Sequence, residues 1–324
     1  MRKLFKNISI YSLGSVLNSS ISFLLLPLYT QILQPADYGK LELVYLISSI
    51  LVIFYGLRIE SGYGRIYFFD KNPSFRKTLF GTGQLFTLAC SLLFLTIMFW
   101  NDIRFAALML DFEEGSYFLK IISVITVLEV LSFIPSNNIR MRQKAKTYML
   151  TNIFSMIVTT GITILLLVYY SFGVEGVLLA RLCGSALTLI LLYVITWNEF
   201  SIRFSTQQLK LMLGFSVFLI PSNLSALVLN MSNRYFLQES QTLDDVGLFS
   251  LGAKIASVIP ILFTEPVKQA FSPYLFEQID NPDACKKTLS DFIRVFFVGL
   301  SIVALSISLF SREIVMLVAP GSYS

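Results

Sequence analysis

The sequence predicts an all-α, polytopic membrane protein: a two-lobed bundle of parallel six-helix repeats whose second lobe is incomplete in this chain. Three observations carry that prediction. Hydrophobic residues make up 55% of the 324 and charged residues only 14%, with a mean hydropathy of +0.71; a water-soluble domain carries about 25% charged residues to cover its surface. Apolar stretches of about 20 residues, the length that crosses a bilayer, recur along the chain. Two polar signatures from the first half return, in the same order, in the second.

The spans follow in order. The start, "MRKLFKNISIYSLGS", has the basic flank of a signal peptide. Its next residues are polar and many further spans follow, so it reads as a retained first helix, 9–29, that begins in the cytoplasm. Pro27 and Pro35 punctuate the turn after it, and Gly39 lets the chain enter the second span, 41–57. Further spans lie near 79–100, 117–135, 149–170, 174–197, 209–230, 246–264 and 292–310, and a tenth opens at Ile314. A bare backbone amide in lipid costs several kcal/mol, so these segments are helices, and the alternation of a β-barrel is absent.

Charge orients them. With the N-terminus inside, eighteen of the 25 lysines and arginines fall on cytoplasmic segments and four on outer loops, the bias of a chain whose N-terminus is cytoplasmic. Composition also removes chemistry. There is no histidine, which excludes His-based triads, zinc peptidases and histidine proton relays. Cys90, Cys183 and Cys285 lie far apart and match no metal-ligand spacing. "GLFSLGAK" (247–254) lacks the ending of a phosphate-binding loop. No cofactor, no metal and no nucleic-acid partner are expected.

The second outer break repeats the first. Leu33-Gln34 matches Leu237-Gln238, and Asp37-Tyr38-Gly39 matches Asp245-Val246-Gly247; "NPSFRKTL" (72–79) before the third span matches "NPDACKKTL" (281–289) before the ninth. Six spans separate the copies, so both have one orientation, a parallel repeat about an axis along the membrane normal. The repeat divides the chain into a first lobe, 1–203, and the start of a second, 204–324.

"PLYTQILQPADYG" (27–39) followed by "LRIESGYGRIYFF" (57–69) resembles the start of the Wzx-type flippases of bacterial polysaccharide biosynthesis. These belong to the superfamily that also holds the MATE drug exporters and the lipid II flippase. The resemblance implies a MATE-like, two-lobed transporter of twelve to fourteen helices with a central lumen, in the bacterial inner membrane. Its implied substrate is an undecaprenyl-pyrophosphate-linked oligosaccharide for O-antigen, capsule or exopolysaccharide synthesis. Implied partners are that lipid-linked oligosaccharide and other membrane proteins of polysaccharide assembly. Export of a small soluble molecule is the alternative, and a polyprenyl-linked glycosyltransferase or polymerase is a further one.

Ionisable groups inside spans are functional candidates by default. Arg181 and Lys254 lie within spans, with Arg58 and Arg65 at the inner end of the second; together they form a cationic lumen suited to pyrophosphate. Glu60, Glu129 and Glu265 are candidates for ion coupling or for an ion pair, Glu129 with Arg181 above all. Lys120, three residues into the fourth span, either snorkels outward or joins them. Asn18 falls on one helical face with Tyr11 and Ser22, and Asn223 and Asn230 on one face with Ser216; such faces either line a polar cavity or pack helices together. The basic stretch 137–148 reads as a loop beside anionic lipid headgroups.

Overall fold

The computed structural model describes residues 10, 32–33, 35–110, 112–222, 224–225, 259–264, 267–268, 271 and 282–313. Every regular element among them is a helix. The chain forms two compact units, Leu17–Ile220, and Met1–Val16 with Pro221–Ser324.

In the larger unit α1 (Pro35–Gly56) opens on a proline, whose missing N–H is not needed in a first turn, and carries Asp37 toward the positive helix end. It stops at Leu57 and Arg58, both left-handed, with φ of 43° and 56°. Helix α2 (Ile59–Ile66) then leaves at 48°. The second span is therefore a bent pair reaching residue 66, where the hydropathy pattern ended it at 57. Arg58 sits at the bend and Arg65 within α2. Helix α3 (Pro73–Trp100) starts where Asn72 Oδ1 accepts the Ser74 N–H at 2.9 Å, an N-cap with proline at the first helical position.

A short helix unforeseen from hydropathy, α4 (Asp102–Met109), follows in the next turn. Helices α5 (Gly115–Leu131) and α6 (Phe133–Met141) share one span of 27 residues. Helix α7 (Ala145–Ile164) runs into a π turn, Leu165–Tyr169, and α8 (Gly173–Thr196) ends in a 3-10 turn, Trp197–Glu199. Helix α9 (Thr206–Ser216), the start of the seventh span, belongs to this same compact unit. In the other unit α10 (Pro282–Leu309) begins at the proline of the second Asn-Pro signature. Like α3 it has 28 residues.

Leu41, Val44, Ile47 and Tyr55 of α1 meet Leu119, Ile122 and Ile125 of α5 and Val177 and Leu178 of α8 in the core of the larger unit. The outer faces are just as apolar: Leu93 of α3, Leu150 and Ile157 of α7 and Val194 of α8 are all exposed, as lipid contact requires. Where apolar burial gives no drive between helices, small residues let backbones approach. A Cβ on Gly184 of α8 would lie 2.0 Å from Thr159 Oγ1 of α7. Along α7, Thr151, Ser155, Thr159 and Thr163 each donate to the carbonyl four residues back at 2.8–2.9 Å, so these buried and half-buried hydroxyls enter the helix contacts already bonded.

The division between α5 and α6 has a local cause. Pro135 carries no N–H for the Leu131 carbonyl. Gln84 of α3, 4% exposed, supplies the donor instead: its Nε2 lies 3.0 Å from Leu131 O and 2.5 Å from Tyr193 Oη of α8. Replacing it by leucine leaves that carbonyl unsatisfied, and Gln84→Leu is expected to destabilise the unit by about 1–3 kcal/mol, measured by thermal unfolding in detergent.

Candidate functional site

Two charged clusters lie inside the larger unit. The first joins α1, α5 and α8 in mid-span. Arg181 Nε and Nη2 donate to the two oxygens of Glu129 at 2.8 and 3.0 Å. Ser185 Oγ donates to Glu129 Oε1 at 3.4 Å, and Ser48 Oγ lies 3.5 Å from Arg181 Nη2. The guanidinium also sits 4.7 Å from the Tyr45 ring centroid, a favourable place for a cation. Both oxygens of this carboxylate are thus engaged in a fork-to-fork pair, with side chains 27% and 25% exposed.

The second cluster gathers at the bend between α1 and α2, at the basic end of the bundle. Arg58 Nη1 lies 3.2 Å from Glu60 Oε1. Asn137 of α6 donates from Nδ2 to the Glu60 backbone carbonyl, while its Oδ1 accepts from Arg140 Nη2 at 3.1 Å. One residue on, Asn138 Nδ2 donates to Tyr63 Oη at 2.7 Å. Two guanidiniums therefore face one carboxylate. The Nε atoms of Arg58 and Arg140 are buried with no hydrogen-bond partner among the described residues. Two successive left-handed non-glycine residues cost about 1–2 kcal/mol each, and such strain concentrates at functional sites.

Other sequence candidates fall elsewhere. The Arg65 guanidinium lies 4.6 Å from the centroid of Phe215 on α9, beside the place where Gly62 N–H donates to Ser216 Oγ at 3.1 Å. Ser216 is fully buried in that helix contact. A Cβ on Gly62 would lie 2.4 Å from Met212 O, which fixes how closely α2 and α9 approach. Lys120 reaches the end of the bundle opposite the basic one and pairs with Asp102 at 2.6 Å. Lys254, Glu265, Asn18, Asn223 and Asn230 lie outside the described residues.

The sequence reading missed Asn137, Asn138 and Arg140. It assigned them to a basic loop beside anionic lipid headgroups, whereas the first two are buried and all three lie within α6. The signal present was the Asn-Asn pair directly after an apolar run, since side-chain amides at a span end are well placed to satisfy a neighbouring broken helix. Among the described residues no three His, Cys, Asp or Glu side chains are placed to hold a metal ion.

The architecture is a multi-pass helical bundle with a bent second span and charges paired inside it, and family and fold together point to a membrane transporter or flippase. The chain belongs to the polysaccharide biosynthesis protein family, whose profile matches residues 28–322. It is 26% identical over 296 residues to an "uncharacterized membrane protein" of Haemophilus influenzae, covering 88% of this chain and 68% of that one. It is 24% identical to "Lsg locus putative protein 1" of the same organism, covering 97% and 76%. Among solved structures, a MATE transporter from Vibrio cholerae superposes with a TM-score of 0.79 at 10% identity, covering 99% of this chain and 76% of that one. A MOP-superfamily transporter from Pyrococcus furiosus, described as having a binding pocket of reversed polarity, gives 0.76 at 17% identity, covering 98% and 74%. The fold is therefore that of the MATE and MOP transporters.

The mid-span pair makes a direct stability prediction. Arg181→Met strands the Glu129 carboxylate among helices and is expected to cost about 2–3 kcal/mol, with part of the loss recovered in the Glu129→Met/Arg181→Met double variant. Thermal unfolding of the four proteins in one detergent gives the coupling. Additive losses would show that the two side chains act independently.

Proposed function

We propose that the protein moves an undecaprenyl-pyrophosphate-linked oligosaccharide from the inner to the outer leaflet of the bacterial cytoplasmic membrane by alternating access, with its N-terminus in the cytoplasm. The observation that carries the reading is the surplus of guanidinium at the bend between α1 and α2. There Arg58 and Arg140 outnumber Glu60, and their Nε donors have no hydrogen-bond partner among the described residues. Guanidinium offers paired donors matched to phosphate oxygens. An exporter of cationic molecules needs the opposite sign. Arg65, Lys254, Asn18, Asn223 and Asn230 are further candidates for substrate contact in this proposal, with a first lobe of residues 1–203 and a second that begins at 204. Anionic lipids at the basic end and other membrane proteins of polysaccharide assembly are the proposed partners.

Membrane potential supplies drive without a coupled ion. Carrying negative charge out of an inside-negative cell is favoured by about 2.3 kcal/mol per charge per 100 mV. Glu129 is held by Arg181 and serves the bundle as a tie; Glu60 and Glu265 are the remaining candidates for proton coupling. Retention of any pH-dependent transport in Glu129→Gln would agree with this division, and its loss would return Glu129 to the coupling step.

The test separates charge from backbone. Glycine adopts the left-handed conformation of residue 58 at no steric cost, so Arg58→Gly removes the guanidinium and leaves the bend. In proteoliposomes carrying a fluorescent polyprenyl-pyrophosphate oligosaccharide, leaflet exchange is expected to fall at least about tenfold, the loss of one charge-assisted contact, both in Arg58→Gly and in Arg58→Gly/Glu60→Gln. The double variant neutralises the carboxylate left unpaired and recovers its cost in thermal stability. Unchanged exchange would remove Arg58 from recognition. Efflux of a cationic dye without lipid exchange would make the protein a small-molecule exporter.

A further inference from the structure

The short helix α4 has its polarity the wrong way round for a loop in water. Its inward side carries Asp102, whose Oδ2 lies 2.6 Å from Lys120 Nζ and accepts from Ser116 Oγ at 2.5 Å. Those donors, Lys120 first and Ser116 second, hold the Asp102 carboxyl down at about 2, so this tie to α5 is charged throughout the neutral range. Ala106 and Leu110 pack inward beside it. The outward side presents Ile103 and Leu108, 74% and 78% exposed, directly after Trp100 at 85%. Arg104 is exposed on that same side.

We propose that α4 is an interfacial anchor, lying in the leaflet at the end of the bundle opposite the basic one, with phospholipid as its partner. On the orientation set by the lysines and arginines this is the outer leaflet. Three observations choose lipid over a protein. The apolar side of α4 continues the lipid-facing surface of α3, where Leu92, Leu93 and Phe99 are exposed up to Trp100. Tyr169 and Tyr170, 79% and 59% exposed at the far end of α7, stand at the same end of the bundle, as the aromatic belt of a bilayer interface does. Arg104 supplies the cation that pairs with lipid phosphate, while Ile103 and Leu108 enter the top of the acyl region, the disposition of a helix lying in an interface. The tie through Asp102 makes the anchor rigid with α5, so the lobe and its interfacial helix move as one. The proposal rests on the chain spanning a membrane and is independent of which substrate it carries.

The test uses the full chain in liposomes. The protein has two tryptophans, so Trp197→Phe leaves Trp100 as the only one. A second reporter, Leu108→Trp in a Trp100→Phe/Trp197→Phe background, reads the middle of the helix and guards against a local defect at position 100. Each is exposed to phosphatidylcholine brominated near the top of the acyl chain and, separately, to iodide present on both sides of the membrane. The expected result is loss of most of the emission to the brominated lipid and little loss to iodide at both positions. Strong quenching by iodide with none by lipid would overturn the proposal by placing α4 in water. Protection from both quenchers would overturn it by showing that a second copy or another protein covers the helix.

Discussion

Inside a bilayer no water is on hand to satisfy a polar group, and this requirement organises the larger unit of the protein. Hydroxyls on α7 bond backward to their own helix. The carbonyl that Pro135 leaves free on Leu131 is reached by Gln84 from a neighbouring helix. Ser48 and Thr126 meet at 3.1 Å between α1 and α5, and Glu129 is closed off by Arg181. Each device satisfies a group that lipid would penalise by several kcal/mol, and all but the first also tie two helices together. Specific packing in this bundle therefore comes from polar pairs and close glycine contacts, since its apolar side chains are as content in lipid as in the core.

The bend at Leu57 and Arg58 is where that rule is applied most sparingly. Two left-handed residues break the ladder of the second span, and Asn137 of α6 holds the start of α2 by bonding the Glu60 carbonyl. Two arginine Nε donors stay unmatched there among the described residues. A site that binds an anion needs such spare donors, whereas a site that only holds helices together does not. The contrast with the closed Glu129–Arg181 pair, a few turns away, is the basis for giving the two clusters different roles.

Much of the fold was legible in the sequence because hydropathy and the positive-inside rule act over long windows. The spans carrying α3, α5 with α6, α7 and α8 lie where apolar runs put them, and the repeated Asn-Pro marks the start of two helices of equal length. What stayed hidden was local. The sequence "GLRIESGYGRI" is polar enough to read as a loop, yet folds as α2 because Gly62 admits the backbone of α9 and Ile59, Tyr63 and Ile66 are buried. Helix α4 is too short to register in a span-length window. At the sites, the pairing of Glu129 with Arg181 was among the alternatives, because lone charges in mid-span seek each other. The part played by Asn137 and Arg140 was not, since it depends on a bend that no periodicity announces.

The central claim is that the anionic link between lipid and sugar is what the guanidinium cluster recognises. It is tested most directly by offering the reconstituted protein one oligosaccharide on two carriers, a polyprenyl pyrophosphate and an uncharged polyprenyl ether, with and without an inside-negative potential. The account predicts exchange of the pyrophosphate carrier alone, accelerated by the potential. Equal exchange of the uncharged carrier, insensitive to potential, would contradict it.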